Sequence, residues 1–217
     1  MRHLPRIAAT ALALATAFVT VTPASAAADR PLSRTQLKKV LLTKKDLGKG
    51  WGVIDIPLRR IDLTGLDVND AACVTAAREF DAAFETAGKS QWILGRISGA
   101  ERVYTGSSSK IERMTSAAKR VAAACDGAGD ARNMVEITKR SPGDLGDAAY
   151  GFEVRDENPP YPGQGSQLVH FDYVVIRYRS VVALVQGAGG GRNHWKDTLE
   201  LARKAAGKLA SAYPRRA

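Results

Sequence analysis

At 217 residues, 45% hydrophobic and 25% charged, the chain has the make-up of a folded globular protein, which excludes intrinsic disorder as a description of the whole. Its formal net charge of +10 favours anionic surroundings, yet lysine and arginine are scattered, and only Lys38, Lys39, Lys44, Lys45 and Lys49 form a local cluster. Aromatic residues do not interleave with the basic ones, so no stacking platform for nucleic acid is visible.

Arg2 and Arg6 precede an apolar run from Ile7 to Val21, and Ala24-Ser25-Ala26 supplies small residues before Ala27. That is the pattern of a cleavable secretory signal over residues 1–26. Losing the two arginines lowers the net charge from +10 to +8. No other segment approaches the roughly 20 consecutive apolar residues that span a bilayer, so the mature product is expected to be secreted and extracellular. About 190 residues remain, the length of one domain with its own core. Residues 27–33 read as a flexible mature N-terminus and 34–213 as a single domain. Cys73 and Cys125 are the two cysteines, and in an exported chain they predict one disulfide. A zinc site is disfavoured because these cysteines, His170 and His194 lack short paired spacings. A catalytic cysteine would need a thiolate kept reduced, which export opposes. No cofactor is expected.

In chain order, Leu37, Leu41 and Leu42 recur at helical spacing after Ser33, a capping residue, and Gly48 and Gly50 stop any continuation before Trp51, a core anchor. Val53 to Leu58 reads as extended, with Pro57 marking an edge or a linker. Asn69-Asp70 caps a predicted helix through Cys73, Ala77 and Phe80 to Phe84 that ends near Gly88. From Trp92 to Tyr104 the period turns toward two, with bends at Gly95 and Gly99 and the better strand over Ala100 to Thr105. After Ser107-Ser108-Ser109, the residues Ile111, Met114, Ala118, Val121 and Cys125 repeat at spacings of three and four, the clearest helix of the chain. The bridge is therefore expected to tie two helices together.

Met134 to Thr138 is a short predicted strand. Ser141-Pro142-Gly143-Asp144 is a turn, and Ala148 to Val154 follows. Asp156 to Gly165, with three prolines and two glycines, reads as a surface loop. Leu168 to Tyr178 and Val181 to Gln186, joined at Arg179-Ser180, predict a hairpin. Alternation puts Phe171, Tyr173 and Val175 on one face, and His170, Asp172, Val174 and Ile176 on the other. Gly187 to Gly191 breaks the strand, and Trp195, Leu199, Ala202, Ala206 and Leu209 form a closing helix. This order predicts an α+β fold: a mostly antiparallel sheet with helices packed on one face and one disulfide.

Catalytic motifs are absent. There is no Gly-x-Ser-x-Gly elbow, and Gly163-Gln164-Gly165-Ser166 precedes a strand instead of a helix. His170 and His194 are the histidines of the mature chain and the available general bases, but each reads first as a structural residue. The glycines at 187–191 stand between strand and helix, where bare amides can cradle phosphate beside Arg192, yet their spacing matches no phosphate-binding fingerprint and a flexible connection is favoured. Asp144 and Asp147 read as turn residues.

The stretch Leu41-Leu42-Thr43-Lys44-Lys45-Asp46-Leu47-Gly48-Lys49-Gly50-Trp51 resembles the "LLT..DL..GW" opening of actinobacterial secreted proteins and lipoproteins related to the PknH-like extracellular sensor domain. Cys73, Cys125 at the end of a helix that follows a strand, Leu145-Gly146-Asp147 and the late hairpin before a final helix add to the resemblance, which spans residues 34 to 210. It implies an α+β domain with a cleft that binds an unidentified extracellular ligand and has no enzymatic activity of its own. The chain departs from that pattern in having one possible disulfide instead of two, no kinase or membrane-spanning part, and no lipobox cysteine.

The expected function is therefore a secreted, non-enzymatic binding module for a small molecule or an anionic envelope polymer, recognised in a groove between sheet and helices. Tyr104, Tyr173, Arg177 and Arg192 are the candidate ligand-binding residues, since aromatic faces and guanidinium groups suit sugars and phosphates. Two alternatives stand beside it: a secreted hydrolase using His170 with Asp172 or Asp147, and a basic cell-wall adhesin.

Overall fold

Eight strands pair into one sheet of order β1-β2-β3-β8-β7-β6-β5-β4: β1 (Gly52–Asp55), β2 (Gly88–Leu94), β3 (Ser98–Thr105), β4 (Gly129–Asp130), β5 (Val135–Arg140), β6 (Ala148–Asp156), β7 (Val169–Tyr178) and β8 (Val181–Gly189). Every neighbouring pair is antiparallel. The helices are α1 (Arg34–Val40), α2 (Lys44–Leu47), α3 (Ala71–Phe84), α4 (Ser108–Ala124) and α5 (His194–Ala212). The structure, a computed structural model, describes residues 31–57, 61–66, 68–86, 88–130, 135–156, 169–189 and 194–213. The leader, the N-terminal residues 27–30, the loop beyond Asp156 and Arg192 lie outside them.

The α+β class, the antiparallel sheet and the disulfide are as the sequence leads one to expect. On one face α3 and α4 pack over Tyr104, Phe152, Tyr173, Val175, Val182 and Leu184. The opposite face carries a further layer, with α1 and α5 over Ile93, Val103, Val174, Ile176, Ala183 and Val185. The second layer follows from the central strands: β7 and β8 bury consecutive residues, so both their faces need a cover. The Cys73–Cys125 disulfide joins the first turn of α3 to the C-cap of α4, where Asp70 Oδ1 accepts the Cys73 amide at 2.8 Å and Ser107 caps the start of α4.

The opening motif is a packing device. Thr43 and Asp46 form a capping box around α2, and Leu41, Leu42, Leu47 and Trp51 are buried. Gly48 (φ 92°) and Gly50 (φ 86°) turn the chain through the left-handed region, and the Trp51 ring lies where a side chain on Gly95 would come within 2.2 Å of it.

Three elements differ from expectation. α3 stops at Phe84 and Gly88 begins β2 instead of ending a helix, because a Cβ at Gly88 would lie 2.6 Å from the Val103 carbonyl oxygen. The stretch 92–104 is two strands joined by a tight turn in which the Gly95 amide donates to Ile97 O at 3.1 Å, and Gly99 lies inside β3 against the Gln186 carbonyl. β8 runs on through Gly187 to Gly189, for a reason found at the site below.

Candidate functional site

Alternation along β7 puts His170 and Asp172 on the α5 face, next to Val174 and Ile176. Register places Glu153 of β6 opposite Asp172, and on the other side Gly187 and Gly189 of β8 face Asp172 and His170. These glycines are the seat of α5. A Cβ at Gly187 would sit 1.9 Å from Thr198 Oγ1, and one at Gly189 would sit 3.6 Å from the His194 Cβ. Without side chains there, His194 and Thr198, one helical turn apart, come down onto the sheet. His170 and His194 thus meet two carboxylates from neighbouring strands.

His194 Nδ1 donates to Asp172 Oδ2 at 2.8 Å, and Thr198 Oγ1 donates to the same oxygen at 2.8 Å. With Nδ1 so engaged, Nε2 of His194 faces Glu153 Oε1 at 3.5 Å. His170 Nδ1 bonds Glu153 Oε1 at 2.6 Å, and the two imidazoles stack with centroids 4.0 Å apart. The Arg140 guanidinium holds the other Glu153 oxygen, Nε to Oε2 at 2.7 Å. Asp172 is fully buried, Glu153 and His194 nearly so, and the His170 side chain keeps 15% exposure. One oxygen of Asp172, Oδ1, has no hydrogen-bond partner among the described residues.

Burial pushes the Asp172 carboxyl above its ordinary range, a shift that the bonds from His194 and Thr198 only partly offset and that the Glu153 charge reinforces. Burial acts on Glu153 in the same sense, but the hydrogen bonds from Arg140 and His170 and the charge of Arg140 outweigh it, and its proton affinity falls. Two like groups within one cluster are thereby pushed apart, a pattern found at functional sites and also in structural ion-pair networks.

The hydrolase pairings are assembled differently from the sequence expectation. His170 bonds Glu153, and Asp172 bonds His194. Asp147 accepts the Arg179 amide at 2.5 Å and steadies a left-handed turn (φ 52°). That turn, at Arg179, is nine residues along the chain from His170, roughly 30 Å away at about 3.3 Å per residue.

Tyr104, Tyr173 and Arg177 share the α3–α4 face. Tyr104 is fully buried, packed edge-on against Phe84. Tyr173 stacks on Phe152 at 4.8 Å and accepts a bond from Gln186 Nε2 at 3.3 Å. Arg177 Nη1 pairs with Glu112 of α4 at 2.6 Å. Arg192 lies outside the described residues. Two surface depressions lie elsewhere, one between α3 and α4 along Ala76, Glu79, Arg120 and Ala124, the other beside α1 at Leu37, Gly88 and Lys110. Glu153 and Thr198 are the members of the cluster that the sequence reading missed. The spacing His194-x-x-x-Thr198 after a glycine-ended strand was the available signal.

The molecule is thus an antiparallel α+β domain, covered on both faces and closed by one disulfide, with a buried histidine–carboxylate cluster beneath its last helix. No family model matches the chain, and no curated protein does. Among solved structures it is similar to the extracellular domain of PknH from Mycobacterium tuberculosis, at 11% identity and a TM-score of 0.47, covering 82% of this chain and 98% of that one. No helix among the described residues is long and apolar enough to cross a membrane.

Proposed function

We propose that the chain is an exported, non-enzymatic, sensor-like binding domain that takes an extracellular or cell-envelope ligand where Glu153, His170, Asp172 and His194 meet. The leader pattern and the disulfide support export, since such bonds persist in oxidising compartments. The observation that carries the reading is the cluster itself. Four ionisable groups and Arg140 are gathered in a largely dry place, where apolar side chains of similar volume would cost less. Binding is favoured over hydrolysis because the Thr198 hydroxyl donates to the buried Asp172 and, among the described residues, no hydroxyl at the cluster bonds an imidazole in the manner of a serine–histidine pair.

The test uses protein secreted from an expressing host. Mass spectrometry is expected to find a mature start near Ala27 and one disulfide. Imidazole NMR signals of His170 and His194 are expected to move on addition of one member of a panel of envelope fragments and small molecules. Hydrolytic turnover that His194→Ala abolishes without unfolding the protein would replace this reading with the hydrolase. Binding that disappears with salt and leaves both imidazoles unmoved would replace it with an electrostatic adhesin.

A further inference from the structure

We infer that the cluster is a binding site for a divalent transition-metal ion of the zinc class, held by Glu153 Oε1, His194 Nε2 and a ring nitrogen of His170, with Asp172 as the residue that orients His194. This deepens the proposed function and rests on its reading of the site.

The donor atoms of the three ligands lie within 4.8 Å of one another. In a tetrahedral site with bonds of about 2.0 to 2.2 Å, neighbouring donors stand roughly 3.3 Å apart. His194 Nε2 and Glu153 Oε1 are already at 3.5 Å. His170 Nδ1 and Glu153 Oε1, at 2.6 Å, are drawn together by a shared proton and need to part by less than an ångström. When the ion takes Nδ1, that proton moves to Nε2 of the same ring, and the imidazole stays neutral. Two nitrogens and one oxygen suit zinc, cobalt, nickel or copper, and do not suit calcium or magnesium, which prefer all-oxygen shells.

Three further observations bear on a ligand. The His194 Nδ1–H bond to Asp172 is the carboxylate–histidine arrangement that fixes a metal-binding tautomer, leaving Nε2 as the lone-pair donor. Among the described residues the arginine at the cluster, Arg140, pairs with Glu153 and not with Asp172. The fourth oxygen of the two carboxylates, Asp172 Oδ1, is buried without a partner among the described residues.

The experiment titrates the full mature chain with zinc and with cobalt. It reads heat of binding, cobalt d–d absorption and the imidazole NMR of the two histidines, which need no assignment by mutation because the mature chain holds two. One equivalent is expected to bind, with tetrahedral-type cobalt absorption and movement of both rings. Glu153→Gln, His170→Ala and His194→Ala are each expected to abolish stoichiometric binding. Asp172→Asn is expected to weaken it about 10- to 100-fold, because the ring is freed while the ligands remain. Glu112→Gln, on the opposite face, leaves it unchanged. Should a variant fail to fold, the wild-type ring signals decide the matter alone. Absence of binding at 1:1, or binding that leaves either imidazole unmoved, overturns the metal assignment. If an organic ligand from the panel moves the rings and zinc does not, the site reading stands and the ion falls. If nothing moves them, both fall.

Discussion

Glu101 gives the sharpest prediction of stability. Its carboxylate lies in the α1–α5 layer, fully buried, with Oε2 accepting the Leu42 amide and Gln91 Nε2, each at 2.8 Å, while Oε1 has no partner among the described residues. Burial pushes its pKa up from 4.5 to about 7, against the two hydrogen bonds and the charge of Lys208. Asp46, held down to about 2 by its bonds to Lys208 and Thr43 despite its own burial, stays ionised in the folded protein, and above about pH 5 it is ionised in the unfolded chain as well, so it adds little pH dependence in the range tested. Since the folded form binds its proton more tightly than the unfolded chain, Glu101 stabilises the fold fully below about pH 4.5, and this contribution disappears as pH rises to about 7. Between pH 5 and pH 8 the difference amounts to about 2.5 kcal/mol, from about 1.4 kcal/mol per pH unit. The assay is urea denaturation of wild type and Glu101→Gln at both pH values. The glutamine does not titrate, so the wild type should lose about 2 to 3 kcal/mol more than the variant on going to pH 8. Parallel losses in the two proteins would refute the placement of a buried carboxyl that holds its proton under Leu42.

The disulfide closes a separation of 52 residues, and Cys73→Ala/Cys125→Ala should lower the unfolding free energy by about 4 kcal/mol in the chain-entropy model; reduction of the wild type should reproduce that value in the same denaturation assay. Gly187→Ala pushes a methyl into Thr198 and should cost about 1 to 3 kcal/mol by overpacking. Thr198→Ala removes a buried donor from Asp172 and should cost a similar about 1 to 3 kcal/mol. The double variant, measured by calorimetry, should cost clearly less than the two singles together, because the second change clears the atom that the first one strikes.

What could be seen in the sequence was local. The repeat Ile111-Met114-Ala118-Val121-Cys125 announces α4 because one helix face must be apolar, and the β7–β8 hairpin announces itself by a long β-branched run around a two-residue turn. Even the faces of β7 follow from alternation alone, which already set His170 and Asp172 side by side. The layer on the second face was harder to see. It requires knowing that the strands at the centre of the sheet are β7 and β8, and that position depends on which distant strands pair with them.

The cluster was illegible for a related reason. Glu153, His170, Asp172 and His194 come from three elements, and strand register, which no short spacing encodes, sets Glu153 against Asp172. The glycines at 187 and 189 show the difficulty best. Their missing side chains read as flexibility when no neighbour is in view, yet in the fold they are ladder residues of β8 whose bareness decides how closely α5 approaches. A side chain at 187 would lift Thr198 away from Asp172, and His194, on the same helical face, would rise with it. The distance between His194 and Glu153, on which any chemistry of the site depends, is therefore set largely by two residues that contribute no functional group at all.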